Sequence, residues 1–82
     1  MKNILVIDDE IDICNNIKAI LTDEGFDVQV AHNSDDAFNY INKHSYSLII
    51  LDVWLDNSKY DGLEILKQIR KNLTIPIIII SG

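Results

Sequence analysis

The chain has 82 residues, of which 48% are hydrophobic and 24% are charged, and its formal net charge is −6. This apolar content suffices for one small folded domain and argues against disorder, while the acidic balance argues against a basic face that binds nucleic acid. The single cysteine, Cys14, excludes an internal disulfide framework. The longest apolar run, at residues 75–80, is far shorter than the ~20 residues that span a bilayer. No signal-peptide core is visible, so we expect a soluble, cytoplasmic protein without a membrane partner.

Strand and helix patterns alternate along the first half of the chain. An unbroken apolar run at residues 4–7 predicts a strand that is buried on both faces. The apolar residues that follow have helical spacing: Ile13, Ile17, Ile20 and Leu21. Gly25 stands where the C-cap of this helix is expected. Residues 26–30 then alternate between apolar and polar, which predicts a strand at the edge of a sheet.

The alternation continues through the second half. Ser34 is expected to cap a second helix, whose apolar face contains Ala37, Tyr40 and Ile41. A third strand is predicted at residues 48–53. A polar loop leads from it to a third helix, whose apolar face is expected to contain Leu63, Leu66 and Ile69. Pro76 opens a fourth strand at residues 77–80, so the order β-α-β-α-β-α-β predicts an α/β domain with a parallel sheet.

Acidic residues follow two of the predicted strands. Asp8, Asp9 and Glu10 follow the first strand, and Asp52 follows the apolar run at residues 48–51. The ligand crevice of an open parallel sheet lies at the carboxyl ends of its strands, so three carboxylates meet there if the two strands are neighbours. Such a cluster is costly without a cation, and hard oxygen ligands favour Mg²⁺. The simpler alternatives are an acid that starts a turn and acids that cap the next helix.

For several other residues the sequence gives weaker evidence of a functional role. Ser81 ends the fourth strand, where its hydroxyl could bind an anion held on Asp52 or could simply belong to a turn. His32 and His44 lie in expected surface segments and show no metal-ligand spacing. Trp54, in the loop after the third strand, is expected to pack against that loop, and the alternative is that it presents the loop to a partner.

Four ordered motifs together resemble the receiver domain of two-component response regulators: Val6-Ile7-Asp8-Asp9-Glu10, Leu51-Asp52-Val53, Asp61-Gly62-Leu63-Glu64 and Pro76-Ile77-Ile78-Ile79-Ile80-Ser81-Gly82. Each motif alone is weak, but the ordered set is specific. The resemblance covers the whole chain and the N-terminal two-thirds of the family's domain. It implies a flavodoxin-like, doubly wound parallel sheet with strand order 2-1-3-4-5. This chain would hold four of those strands, in the order 2-1-3-4, with three helices, and would lack the fifth strand and the last two helices.

The resemblance also implies a set of roles. Asp52 would accept a phosphoryl group from a sensor histidine kinase. Asp9 and Asp52 would bind Mg²⁺ through their side chains and Trp54 through its backbone carbonyl, while Asp8 would act through a water molecule. Ser81 would be the switch hydroxyl. The lysine that the family carries on its fifth strand has no counterpart in this chain, so we expect the segment to bind Mg²⁺ and to switch poorly.

The loop after Asp52 departs from the family pattern, because it is longer than usual and lacks a common proline. Its Val53-Trp54-Leu55-Asp56 and Tyr60-Asp61-Gly62 segments resemble regulators of the nitrogen-regulation type, whose outputs act on transcription. Two other functions remain open. A metal-dependent phosphohydrolase also uses an aspartyl nucleophile, but Trp54 stands where its second acid is common. A module for interaction or dimerisation would take no phosphate, and the apolar strand at residues 77–80 could join copies of the chain into a homo-oligomer. We do not expect an enzyme.

Overall fold

Strands and helices alternate in the computed structural model, which describes residues 2–56 and 58–80. The elements are β1 (Asn3–Ile7), α1 (Ile11–Asp23), β2 (Asp27–Ala31), α2 (Ser34–Lys43), β3 (Leu48–Asp52), α3 (Gly62–Arg70) and β4 (Ile77–Ile80). Every element predicted from the sequence is present. None of the described helices is long and apolar enough to cross a membrane.

The four strands form one parallel sheet in the order β2-β1-β3-β4. This order confirms the predicted fold class, and it confirms β2 as an edge strand. In the central pair, Ile7 of β1 lies opposite Leu51 of β3. The residues that follow these two positions, Asp8 and Asp52, therefore leave the same edge of the sheet.

Each face of the sheet has its own hydrophobic cluster, because side chains alternate between the faces of a strand. One cluster packs β1 and β3 against α2 and α3: its fully buried members include Leu5, Ile7, Ile49, Leu51, Ala37 and Ile65. The other packs β1 and β2 against α1: it contains Ile4, Val6, Val28 and Cys14, with Ile17 and Leu21 alongside. β1 is thus buried on both faces, as its unbroken apolar sequence predicted.

The predicted apolar faces of α1 and α3 were partly wrong. Ile20 of α1 is 65% exposed, and the fully buried residue of that helix is Cys14. In α3, Leu63 is 51% exposed while Ile65 and Ile69 are buried. The apolar residues of each helix can form more than one apolar face. The way in which the helix packs on the sheet determines which of these faces is buried.

The start of α2 also differs from the prediction. Its N-cap is Asn33, whose side chain accepts a hydrogen bond of 2.9 Å from the backbone N–H of Asp36. Ser34, predicted to be the cap, is the first residue of the helix and is fully buried. Both residue types cap helices well, so the local sequence does not discriminate between them. The buried Ser34 hydroxyl instead accepts a hydrogen bond from the backbone N–H of Tyr60.

Candidate functional site

Three carboxylates converge where β1 and β3 end. Asp8, Asp9 and Asp52 each place an oxygen within 4.8 Å of an oxygen of the other two. Asp52 is the last residue of β3, and the other two acids directly follow β1. The parallel pairing of these strands creates the cluster, as the sequence led us to expect.

Asp8 is the most buried acid of the cluster. Only 2% of the residue is exposed, and its Oδ1 accepts a hydrogen bond of 2.9 Å from the backbone N–H of Glu10. Burial raises the pKa of Asp8 above its usual value, and the negative charges of Asp52 and Asp9 add to that rise. Three hard oxygen donors with unrelieved repulsion fit a small divalent cation such as Mg²⁺.

The loop between β3 and α3 is hydrogen-bonded to the acid cluster. The backbone N–H of Trp54 donates to Oδ1 of Asp52 at 3.1 Å, and the backbone N–H of Asp56 donates to Oδ2 of Asp9 at 3.0 Å. The main chain of Trp54 therefore lies beside the candidate metal ligands. Its indole does not pack as we predicted, because Trp54 is 68% exposed.

A second set of hydrogen bonds ties the same loop to α2. The N–H of Ser34 donates to Oγ of Ser58 at 2.8 Å, and that hydroxyl donates to the carbonyl of Tyr60 at 2.7 Å. The N–H of Tyr60 in turn donates to Oγ of Ser34 at 3.3 Å. We call Ser34, Ser58 and Tyr60 the serine latch. The Tyr60 ring adds an edge contact with Phe38 at a centroid distance of 6.2 Å.

Gly62 explains why an Asp-Gly pair begins α3. A Cβ atom at this position would lie 2.7 Å from Cα of Val53 and 2.9 Å from the carbonyl carbon of Asp52, with the Asp52 oxygen closer still. The N–H of Gly62 donates to the carbonyl of Val53 at 3.0 Å. Asp61 caps the helix by accepting from the N–H of Glu64 at 2.9 Å. Only glycine lets the start of α3 approach the end of β3 this closely.

Sequence reasoning missed His32 as a neighbour of the site. Its Nδ1 lies 3.0 Å from the carbonyl oxygen of Asp8, and Sγ of Cys14 donates to the same oxygen at 3.2 Å. Burial raises the pKa of Cys14 to about 11, so this side chain is a thiol at neutral pH. His32 and Asp8 are 24 residues apart, and no local pattern in the sequence marks their contact.

Ser81 lies outside the described residues, so its predicted role stays a prediction. The strand that leads to it is placed as expected. β4 runs beside β3, and Ile80 is the partner of Asp52 in the register.

Known proteins match this arrangement. The model of the response regulator receiver domain family matches residues 4–82. A putative NtrX-like response regulator from Rickettsia bellii is 49% identical over 81 residues, which cover 98% of this chain and 17% of the relative. The crystal structure of the NtrX receiver domain from Brucella abortus superposes with a TM-score of 0.93 at 42% identity, covering 96% of this chain and 67% of that one.

A further structure extends the comparison to a bound metal. TrrA from Thermotoga maritima, a response regulator solved in complex with Mg²⁺-BeF, has a TM-score of 0.88 and 35% identity. The match covers 99% of this chain and 70% of TrrA. This chain spans less than a fifth of the length of the NtrX-like relative. From the family model, the sequence identities and the shared fold, we conclude that the chain belongs to the regulatory family of response regulator receiver domains of two-component systems.

Proposed function

We propose that this chain accepts a phosphoryl group on Asp52 from a sensor histidine kinase, in an Mg²⁺-dependent reaction, and thereby regulates a transcriptional output. The observation that carries the proposal is the convergence of Asp52 with Asp8 and Asp9 at the ends of adjacent strands. The family assignment agrees with it. A relative from Azorhizobium caulinodans that is 42% identical over 81 residues is named nitrogen assimilation regulatory protein NtrX, which agrees with the nitrogen-regulation type suggested by the loop sequence.

Asp52 is the proposed nucleophile. Its carboxylate ends a central strand and is partly exposed, and the N–H of Trp54 orients one of its oxygens at 3.1 Å. A carboxylate oxygen attacks the phosphorus of the phosphohistidine, a P–O bond forms, and the P–N bond breaks. The imidazole leaves with the electron pair, and Asp52 becomes an acyl phosphate. Such transfer depends mainly on positioning and charge neutralisation.

Four residues are proposed to hold the cation. Asp9 and Asp52 would bind Mg²⁺ through side chains and Trp54 through its backbone carbonyl, with Asp8 acting through a water molecule. When bound, Mg²⁺ neutralises the carboxylates and the phosphoryl oxygens. The raised pKa of Asp8, caused by burial and by its acidic neighbours, supports this assignment. The structure of TrrA in complex with Mg²⁺-BeF also supports a Mg²⁺ site in this chain.

Phosphorylation then acts as a change of charge. It adds about one to two negative charges and strong hydrogen-bond acceptors beside β3 and β4. We propose that the Ser81 hydroxyl turns toward the acyl phosphate and shifts a pre-existing equilibrium between two packings. The transcriptional output would respond to that shift.

Phosphorylation by a small phosphodonor tests the proposal. The wild-type chain should gain one phosphoryl group in the presence of acetyl phosphate and Mg²⁺, measured by intact mass, and none after chelation. Asp52→Asn should gain none, whereas Asp56→Asn, which changes an exposed acid of the same loop, should label like wild type. Equal labelling of Asp52→Asn and wild type would contradict the assignment. Many turnovers per chain would favour a phosphohydrolase.

We also propose that the chain self-associates through β4. Ile78 and Ile79 are 51% and 41% exposed, although they belong to a strand of four consecutive isoleucines. Among the described residues, no strand pairs with the outer edge of β4. Apolar edge strands of this kind pair readily with another chain. Sedimentation of the wild-type chain and of Ile78→Lys over a range of concentrations tests this proposal.

A further inference from the structure

Three parts of the fold meet at a single oxygen atom, the backbone carbonyl of Asp8. His32, in the turn between β2 and α2, places Nδ1 at 3.0 Å from this oxygen. Cys14, in the second turn of α1, places Sγ at 3.2 Å, and the two side chains lie 3.8 Å apart. The oxygen itself belongs to the residue that follows β1.

The carbonyl oxygen determines which groups act as hydrogen-bond donors in these contacts. A carbonyl oxygen only accepts, so Nδ1 of His32 carries a proton and Cys14 donates its S–H. Both donors therefore bond to the same oxygen. Asp8 is also held through its N–H, which donates to the carbonyl of Ala31 at 3.0 Å, and through its side chain, which accepts from Glu10. Asp8 is therefore held through its backbone N–H, its carbonyl oxygen and its side chain, and its carbonyl belongs to the peptide group that joins it to Asp9.

We propose that His32 and Cys14 are positioning residues that set the affinity of the acid cluster for Mg²⁺. They hold the peptide plane from which the Asp9 side chain departs, and so they hold the distance between the carboxylates of Asp9 and Asp52. This inference rests on the proposed function, because it assigns these residues to the same cation site. Partners that orient metal ligands in this way change metal affinity by about 10–100-fold when they are removed.

The side-chain geometry of histidine supplies a matched pair of variants. The amide nitrogen of asparagine occupies the position of Nδ1, whereas that of glutamine occupies the position of Nε2. His32→Asn therefore keeps the donor near the Asp8 carbonyl, and His32→Gln moves it away. Cys14→Ser keeps a donor and Cys14→Ala removes it. Tyr46→Phe is the control, since it removes the hydrogen bond of a buried hydroxyl to Gln29 on β2, away from the acid cluster.

Mg²⁺ titration of the full chain, followed by Trp54 fluorescence and by calorimetry, measures the effect, and thermal unfolding of each variant is recorded without metal. His32→Gln and Cys14→Ala should each weaken Mg²⁺ binding about tenfold, while His32→Asn and Cys14→Ser stay within about threefold of wild type. Tyr46→Phe should lower the unfolding temperature and leave Mg²⁺ affinity unchanged. If Cys14→Ala does not fold, the His32 pair alone decides the outcome.

Three results would overturn the inference. Equal affinity of wild type, His32→Asn and His32→Gln would refute it and leave the proposed function standing. A loss of affinity in Tyr46→Phe as large as in His32→Gln would show that reduced stability is the cause. Absence of Mg²⁺ binding by wild type would remove both the inference and the proposed metal site. Nitrogen NMR of the metal-free chain gives an independent check, because Nδ1 of His32 must be protonated.

Discussion

At the scale of single residues, the repulsion within the acid cluster lowers the stability of the folded, metal-free chain. Burial and the neighbouring acids raise the pKa of Asp8. A carboxyl whose pKa is higher in the folded than in the unfolded chain contributes stability below its unfolded pKa. That contribution is lost as the pH rises through the folded pKa. The ionised form of Asp8 therefore destabilises the metal-free protein.

Replacing this charge should stabilise the chain. Asp8→Asn keeps the oxygen that accepts from Glu10 and removes one repulsive charge, so we expect about 1 kcal/mol of added stability, or roughly 4–8 °C in unfolding temperature for a domain of this size. The same variant should bind Mg²⁺ more weakly. Calorimetry in the presence of a chelator measures the rise in unfolding temperature. Asp27→Asn, the same change at an exposed residue at the start of β2, is the control, and an equal rise there would contradict the explanation.

Gly62 supplies a second prediction at this scale. A methyl group at Gly62 meets the backbone of Asp52 and Val53, so Gly62→Ala should cost about 2 kcal/mol and weaken Mg²⁺ binding. Gly25→Ala is the matched control, since Gly25 has a φ of +93° with no atom within 4 Å of the added Cβ. It should cost about 1 kcal/mol and leave Mg²⁺ binding intact. Denaturant unfolding and metal titration separate the two effects. Unchanged affinity in Gly62→Ala would show that the close approach does not shape the site.

At the scale of elements, the β3–α3 loop is held at two places. Its early part bonds to Asp52 and Asp9 through the N–H groups of Trp54 and Asp56. Its later part is held on α2 by the serine latch. The latch thus anchors the later part of the loop on α2, while the early part bonds to the acid cluster. An exposed Lys59 lies between two members of the latch and offers a cleavage site for trypsin.

Opening the latch should expose the loop. Ser34→Ala removes the acceptor of the Tyr60 N–H, which should cost about 1 kcal/mol and speed cleavage at Lys59 about fivefold if local opening limits proteolysis. Asn33→Ala removes the N-cap of α2 at a similar cost of about 1 kcal/mol but leaves the latch residues in place. Native-state trypsin digestion followed by mass spectrometry compares them. Equal cleavage rates in the two variants would mean that general loosening of α2, and not the latch, is responsible.

At the scale of the whole molecule, the sheet is covered unevenly. Ile78 pairs with Ile50 and Ile79 with Leu51, so these two side chains point to opposite faces of β4. Both are substantially exposed, because the described helices pack mainly over β1, β2 and β3. Apolar surface at an edge strand favours association between copies of the chain.

Self-association through β4 should be sensitive to charge. Ile78→Lys places a charge on the edge strand and should shift the chain toward the monomer, measured by sedimentation over a range of concentrations. Ile20→Lys makes the same change at a residue of α1 that is 65% exposed, and it should leave the assembly unaltered. A wild-type chain that stays monomeric at high concentration would exclude the interface.

Sequence patterns alone determined the order of elements, the parallel sheet, the family and the convergence of three acids. These features follow from short-range periodicity and from the residues at strand ends, which the backbone geometry of a parallel sheet brings together. The tertiary structure decided which helix faces are buried, why Gly62 is required, and which polar groups support the site. His32 and the serine latch act across 24 or more residues of sequence. Such contacts depend on how the elements pack, and no local pattern encodes them.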